Sequence, residues 1–171
     1  MELKKAVEIV DTNFKVNESV FLTEFGKRLD NEAYIAKLRV KLLDFASLFV
    51  ALSRNFPTKY QFCRELITKM LYKLSRHIET SQVKQTEKLA SKLISDMNTL
   101  RTYLAICEAY NLFKRKIEDK ETGDIDYIDN KQSSIILNNK LLELEVLVIG
   151  RAKNMRKIAN NLKETKEAPN K

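Results

Sequence analysis

The sequence predicts an all-α protein folded as an antiparallel up-and-down four-helix bundle with an N-terminal extension. Its 171 residues include 3 glycines and 2 prolines, whereas average usage would give about 12 and about 8. Because the turns of β-sandwiches and barrels consume these residues, their scarcity favours a few long helices. Hydrophobic residues make up 44% of the chain. Four segments carry them at spacings of three and four, the period of a helix face.

The first two helices are predicted over residues 31–53 and 57–79. Asn31 is the predicted N-cap of the first helix. Pro57 suits the first turn of the second, because its φ is fixed and it lacks an N–H. Phe56 is expected to pack across the tight junction between the two helices. The bundle-facing residues are Ile35, Leu38, Leu42, Phe45, Phe49 and Leu52 in the first helix and Cys63, Leu66, Ile67, Met70, Leu74 and Ile78 in the second.

The other two helices are predicted in the second half of the chain. The third follows a polar connection at residues 80–83, has Ser81 or Thr86 as its cap, and runs to about Lys116. The fourth is predicted over residues 133–162. Their bundle-facing residues are Leu89, Leu93, Met97, Leu100, Leu104 and Cys107 in the third helix and Leu137, Leu141, Leu144, Val148, Ala152, Met155, Ala159 and Leu162 in the fourth.

Three segments lie outside the predicted bundle helices. Residues 1–30 form the N-terminal extension. Residues 117–132 hold six acids and one glycine, which indicates a solvated acidic loop within the bundle domain of residues 31–162. Residues 163–171 are polar and are predicted to be a flexible tail. Within the fourth helix, Gly150 is expected to allow the close approach of a neighbouring helix.

Several apolar residues lie beside or off the bundle-facing stripes. One bundle interior is not expected to absorb them all, and extra apolar surface normally finds a partner. The sequence therefore predicts a homo-oligomer. These residues are Leu71, Ile94, Ile106, Leu112, Phe113, Leu147 and Ile149.

The inventory of chemical groups argues against an enzyme and against a bound cofactor. The single histidine, His77, cannot supply a histidine-based metal site, and neither Glu-x-x-His pairs nor a Gly-rich phosphate loop is present. His77 beside Cys63 or Cys107 would make a nucleophile–base pair, but a lone helical histidine is more often a surface or boundary residue. The two cysteines indicate a reduced, cytoplasmic protein. The first fifteen residues are charged and lack the apolar core expected of a signal peptide, and the sequence contains no apolar run of membrane length.

Positive charge is concentrated in the predicted helices. The net charge is +8, of which residues 57–116 carry +7, residues 131–171 carry +5 and residues 117–130 carry −5. The bases also form rows at helical spacing. Like charges at i, i+4 destabilise an isolated helix, so these rows indicate an anionic partner, with nucleic acid held through its phosphates as the leading candidate.

Eight basic residues are the candidate nucleic-acid contacts. Lys69, Lys73 and Arg76 form a row on the second helix. Arg101 and Arg151 are less easily assigned, because they either pair with acids such as Asp96 or Glu145 or line a basic channel. The full set is Lys69, Lys73, Arg76, Lys84, Lys88, Lys92, Arg101 and Arg151.

Three motifs resemble those of a family of small four-helix-bundle proteins. NFPTKYQF at residues 55–62 resembles the family's Phe-Pro-Lys-x-x-x-Tyr/Phe helix junction. LISDMNTLRTYLA at residues 93–105 resembles its Leu-Arg-x-x-Leu-Arg-Leu-Ala segment, and LLELEVLVIGR at residues 141–151 resembles its Leu-x-Glu-Ile-Gly-Arg ending. The resemblance covers residues 31–160. The family includes the accessory variability determinants of diversity-generating retroelements and the proteins encoded within intervening sequences of bacterial ribosomal RNA genes.

The resemblance implies a non-enzymatic accessory protein. The resemblance to the accessory variability determinants implies a barrel-shaped homopentamer with a basic surface, which binds a reverse transcriptase together with RNA or DNA. Such a protein would support mutagenic complementary-DNA synthesis without catalysing it. The alternative is a helical protein–protein adaptor or assembly subunit, in which the apolar flanks carry the function and the basic faces only keep the chain in solution.

Overall fold

The computed structural model describes residues 24–167, and it confirms the predicted all-α four-helix bundle. Residues 1–23, most of the predicted extension, and residues 168–171 lie outside the described residues. In chain order the elements are α1 (Glu24–Ser53), a 3-10 turn (Thr58–Tyr60), α2 (Gln61–Val83), α3 (Glu87–Ala109), β1 (Lys114–Glu118), β2 (Ile125–Asp129) and α4 (Lys131–Glu167).

The helices form a closed ring in which each packs on its chain neighbours and α4 returns to pack on α1. Side-chain contacts show that neighbouring helices are antiparallel. Along α1 and α4, Tyr34 donates a 2.7 Å hydrogen bond to the Leu147 carbonyl. Further along α1, Lys41 pairs with Glu143, which is earlier in α4, at 2.9 Å. Rising numbers on one helix thus meet falling numbers on the other, as an up-and-down bundle requires. No helix among the described residues is long and apolar enough to span a membrane.

The core consists mainly of the predicted stripes. Phe56 is buried as expected, with its ring centroid 6.1 Å from that of Phe49 and 5.5 Å from that of Phe113. Leu66 and Leu162 are exposed, so their assignment to the interior was wrong. The bundle does bury three of the residues predicted to exceed its interior: Leu71, Leu112 and Phe113.

Gly150 allows a close approach between helices, as predicted. A Cβ at this position would lie 2.7 Å from the hydroxyl oxygen of Tyr34 on α1. Real Cβ atoms do not approach other heavy atoms so closely, so the Tyr34 hydroxyl can occupy this position against α4 only because residue 150 has no side chain.

Several predicted helix boundaries differ from the observed ones. Asn31 is not an N-cap, because α1 begins at Glu24. The connection at residues 80–83 is helical, and Thr86 caps α3 by accepting a 3.2 Å hydrogen bond from the Leu89 N–H. Helix α4 continues to Glu167, so most of the predicted tail is helical.

Helix α3 ends at Ala109, earlier than predicted. Asn111 has a φ of 52°, a left-handed conformation that asparagine tolerates better than most residues. Its N–H donates to the Glu108 carbonyl at 2.9 Å, and the Leu112 N–H donates to the Cys107 carbonyl at 3.0 Å. These two bonds form a Schellman motif, which satisfies the last carbonyls of the helix and turns the chain out of it.

The predicted acidic loop is largely a β-hairpin, which corrects the sequence interpretation. Its strands are antiparallel, and Lys114 pairs with Asp129 at the base. At the tip, Asp119 accepts hydrogen bonds at 2.8 Å from the backbone N–H groups of Glu121 and Gly123, using its side chain and its carbonyl respectively. Gly123 has a φ of 72°. The isoleucines and the tyrosine of the strands favour an extended backbone, and they outweigh the charge of the segment.

Candidate nucleic-acid interface

One polar side-chain contact joins the facing sides of α2 and α3. His77 Nδ1 and Asp96 Oδ2 share a 2.5 Å hydrogen bond across the helix interface. Lys73, one turn before His77, places its Nζ 3.9 Å from Asp96 Oδ1. Lys92 precedes Asp96 by one turn of α3 and therefore lies on the same flank. The basic residues of α2 and those of α3 thus meet along the interface between the two helices, which we call the seam.

Six of the eight predicted contacts are exposed on or beside this seam. Lys69 and Arg76 extend the α2 row outward, Lys88 extends the α3 row, and Lys84 follows the last residue of α2. The guanidinium of Arg76 lies 6.0 Å from the centre of the Tyr72 ring. We call this set the basic face: Lys69, Lys73, Arg76, Lys84, Lys88 and Lys92.

The acids of α2 and α3 mostly face away from the basic face. Glu79 forms two 2.6 Å hydrogen bonds to Arg39 of α1, which lower the pKa of its carboxyl group. Glu87 pairs with Lys163 of α4 at 3.3 Å. Asp96 is only 2% exposed and lies beneath the surface.

Two other acids complete this distribution of charge. Glu108 contacts α4, where Ser134 donates a 3.0 Å hydrogen bond to its carboxylate. Glu65, one turn before Lys69, is the acid of these two described helices that shares the outward surface with the bases. The side chains that solvent meets at the seam are therefore mainly cationic.

Arg151 does not belong to the interface, which corrects the prediction. It is 1% exposed. Its Nη1 donates to Asn31 Oδ1 and its Nη2 to the Ser81 carbonyl, both at 2.7 Å, and its Nε lies 3.4 Å from Ser81 Oγ. Burial lowers the pKa of the guanidinium, partly offset by Tyr34. Because Ser81 is in the last turn of α2, the cation meets the negative end of that helix. This position gives a buried arginine electrostatic compensation.

Arg101 is half-exposed but lies on the other flank of α3. Its guanidinium pairs with Glu145 of α4, which confirms one of the two alternatives drawn from the sequence. The charge is therefore partly neutralised and is turned away from α2. The basic face consists of the six remaining residues.

The cysteine–histidine pair that the sequence made conceivable, and argued against, is not formed. Cys63 and Cys107 are both buried free thiols. Cys63 is fourteen residues from His77, about 21 Å along α2. Burial raises the pKa of the Cys107 thiol to about 12 and also raises that of Cys63, so neither is an activated nucleophile. Among the described residues, no cluster of three His, Cys, Asp or Glu side chains could hold a metal ion.

Sequence reasoning missed the contact between His77 and Asp96. A signal was present, because Asp96 stands between Leu93 and Met97 in an apolar stripe and a carboxylate there needs a partner. Arg151 had a similar signal, since it lies seven residues after Leu144, at a position where the stripe of α4 faces the core.

A second surface lies on the outward side of α4. Ile135, Leu142 and Val146 follow one another at spacings of seven and four, and they are 60%, 54% and 63% exposed. They lie opposite the buried residues of the same helix. We call these three residues the outer stripe.

Comparison of the chain with protein-family profiles, with curated proteins and with solved structures gave no match. The assignment of the candidate interface therefore depends on the positions and charges of the basic-face residues themselves.

Proposed function

We propose that this protein is a non-enzymatic, cytoplasmic nucleic-acid-binding protein whose basic face holds RNA or DNA through its phosphates. One observation carries the proposal. Five exposed cations of α2 and α3, with Lys84 in the connection between them, lie on or beside a single seam, while the acids of those helices are mostly buried or paired elsewhere. Lysine and arginine at such positions contact phosphates and position a nucleic acid without reading its sequence.

Electrostatic energies support a partner of opposite charge. Lys69 and Lys73 are four residues apart on α2, and Lys84, Lys88 and Lys92 repeat this spacing up to and along α3. Each like-charge pair within a helix costs about 0.2–0.5 kcal/mol. A phosphate backbone removes this repulsion and releases its condensed counterions on binding. The expected binding is salt-sensitive and weakly specific for sequence.

The family resemblance extends this proposal to an accessory role. In that role the protein would hold a template RNA and dock a reverse transcriptase, and so would support mutagenic complementary-DNA synthesis in a diversity-generating retroelement. Its contribution would be scaffolding, because the chemistry belongs to the polymerase. A homo-oligomer, a pentamer by resemblance, would present several basic faces to one nucleic acid and so raise the effective affinity.

The outer stripe of α4 favours a second candidate function. Exposed leucine, isoleucine and valine side chains at helical spacing are typical of a surface that another helix covers. In this alternative the protein is an adaptor or assembly subunit, and the basic face has no ligand. In the first proposal the same stripe would join the subunits of the homo-oligomer.

A salt series tests the proposal. Binding of labelled RNA and DNA is measured for the wild type and for Lys69→Gln/Lys73→Gln/Arg76→Gln. The slope of log affinity against log salt should fall by about one for each phosphate contact removed. The matched control, Lys153→Gln/Lys157→Gln/Lys166→Gln, removes the same charge from exposed positions on α4 and should keep most of the slope.

The outcomes separate the two candidates. Absence of binding at low salt, or equal losses in both triple variants, would overturn the basic face as the contact surface. Light scattering measures the mass in solution at the same time. Oligomers that form while RNA and DNA stay unbound would favour the adaptor.

A further inference from the structure

Three aromatic rings cluster where α2 begins and α3 ends. The Tyr60 ring centroid lies 5.1 Å from that of Tyr110 and 6.4 Å from that of Phe62. The Lys59 ammonium lies 5.1 Å from the centre of the Tyr60 ring. Tyr60 packs against the core, whereas Phe62 is 52% and Tyr110 53% exposed. We call these three residues the aromatic cluster. Phe62 and Tyr110 expose their rings to solvent, and Tyr60 links them to the core.

The aromatic cluster is continuous with the basic face. Phe62 lies eleven residues before Lys73 on α2, and Tyr110, the residue that follows the end of α3, lies fourteen residues after Asp96. Eleven residues turn a helix by about three full turns and fourteen by nearly four, so these positions lie on the flank where Lys73 meets Asp96. Phe62 is about 16 Å from Lys73 along α2, at about 1.5 Å per residue. A polymer bound to the basic face can therefore reach the rings.

We infer that the ligand of this surface is single-stranded nucleic acid, with unpaired bases stacked on Phe62 and Tyr110 and phosphates on the basic face. The inference rests on the proposed function and adds the substrate class to it. Cations alone bind duplexes and single strands alike. Exposed rings favour the single strand, because the flat faces of its bases are free, whereas those of a duplex are already stacked.

The surroundings of the rings favour a polyanion over a protein partner. Lys59 and Lys69 are both exposed beside the aromatic cluster, and Lys69 follows Phe62 by seven residues on the same face. Lysine is depleted in protein–protein interfaces because its desolvation is costly. Beside stacked bases the same lysines remain hydrated and face phosphates.

Binding of a single-stranded RNA of about 12 nucleotides, within the usual range of single-strand site sizes, is compared with binding of the matching blunt duplex. The test variant is Phe62→Ala/Tyr110→Ala, and the conservative variant is Phe62→Tyr/Tyr110→Phe. Leu43→Ala is the control, because Leu43 is an exposed apolar residue of α1 that belongs to neither the aromatic cluster nor the basic face. Circular dichroism and thermal melts verify that each variant is folded.

We expect the double alanine variant to lose about tenfold or more in single-strand affinity, with little change in duplex affinity or in the salt slope. The conservative and control variants should bind as the wild type does. The chain has no tryptophan, so quenching of tyrosine emission by the single strand provides a second readout, and it should weaken in the double alanine variant.

The failure of this inference differs from the failure of the proposed function. If the wild type binds no nucleic acid, both are overturned. The double alanine variant could keep its single-strand affinity while the Lys69→Gln/Lys73→Gln/Arg76→Gln variant shows a reduced slope of log affinity against log salt. This result would overturn the stacking surface alone. If the double alanine variant no longer self-associates but still binds RNA, the rings belong to a protein contact. That result would also overturn the stacking surface.

Discussion

The hydroxyl oxygen of Tyr34 occupies the space that a side chain on Gly150 would need, 2.7 Å from the ideal Cβ position. The same hydroxyl donates to the Leu147 carbonyl at 2.7 Å, which fixes the ring against α4. Burial raises the pKa of the Tyr34 hydroxyl, so it stays a donor throughout the neutral range. At this level, the contact between α1 and α4 therefore depends on one tyrosine and one glycine.

Gly150→Ala should destabilise the protein by about 1–3 kcal/mol, because the added methyl overpacks the contact with Tyr34. Alanine is otherwise the better helix former by about 1 kcal/mol. In a Tyr34→Phe background the clash is removed, and the same change should become neutral or stabilising. Urea denaturation of the four proteins in this double-mutant cycle measures the coupling. Equal effects of Gly150→Ala in both backgrounds would contradict the contact.

Replacing Arg151 tests its burial. Arg151→Met should cost about 1–3 kcal/mol of unfolding free energy, because the Ser81 carbonyl and the Asn31 amide lose their partner inside the protein. Lys153→Met, two residues away and exposed, should change stability by less than about 0.5 kcal/mol. Denaturant titration measures both. A folded Arg151→Met protein whose nucleic-acid binding shows a smaller salt slope would return Arg151 to the interface.

The buried thiols predict how stability depends on pH. In the unfolded chain Cys107 titrates near its ordinary pKa of 9.0, whereas burial raises the folded value to about 12. The folded state therefore favours the neutral thiol. Its contribution to stability is complete below about pH 9 and is lost as the pH rises toward 12. Thermal melts from pH 7 to pH 11 should show this decline.

Cys107→Ala serves as the control for this decline, because lysines and tyrosines titrate in the same range. The fall in melting temperature above pH 9 should be shallower in the variant than in the wild type. In addition, alkylation of the native protein at pH 8 should be much slower than alkylation in denaturant, since a protonated thiol reacts poorly. Rapid native alkylation of Cys107 would contradict its burial.

The hairpin should weaken nucleic-acid binding at a distance. Glu118, Glu121 and Asp124 are exposed acids of a segment that carries a net −5 over residues 117–130. Changing these three to Gln, Gln and Asn should raise RNA affinity about two- to fivefold at low salt through reduced repulsion. The gain should vanish at high salt, where the screening length falls to about 3 Å. A gain that is independent of salt would indicate a direct contact instead.

Apolar residues spaced three and four positions apart were sufficient to predict four helices and most of the core, because the buried face of a helix produces this periodic pattern in the sequence. Arg151 escaped that reasoning, since its compensation comes from Ser81 and Asn31 on two other helices. The aromatic cluster escaped it as well. Tyr60 and Tyr110 are fifty residues apart in the sequence, and only the antiparallel packing of α2 on α3 brings their rings together.

The hairpin shows a different limit. Five-residue strands carry a short alternating pattern, and the acids of the segment dominated the prediction of a loop. The sequence did contain a local signal for the earlier end of α3. Asn111 is an asparagine, which is among the few residues that readily take the left-handed conformation of a Schellman motif. The acidic charge of this segment predicted its exposure to solvent correctly but did not predict its extended, paired backbone.

The pairing of Lys114 with Asp129 has a practical consequence for engineering. Because the chain leaves and re-enters the bundle at adjacent points, the segment between them can change length without moving either flanking helix. Exposed tips of this kind tolerate inserted sequence well. A peptide tag placed between Lys120 and Glu121 would project from the molecule and serve as an internal handle, leaving both chain ends and the seam between α2 and α3 untouched.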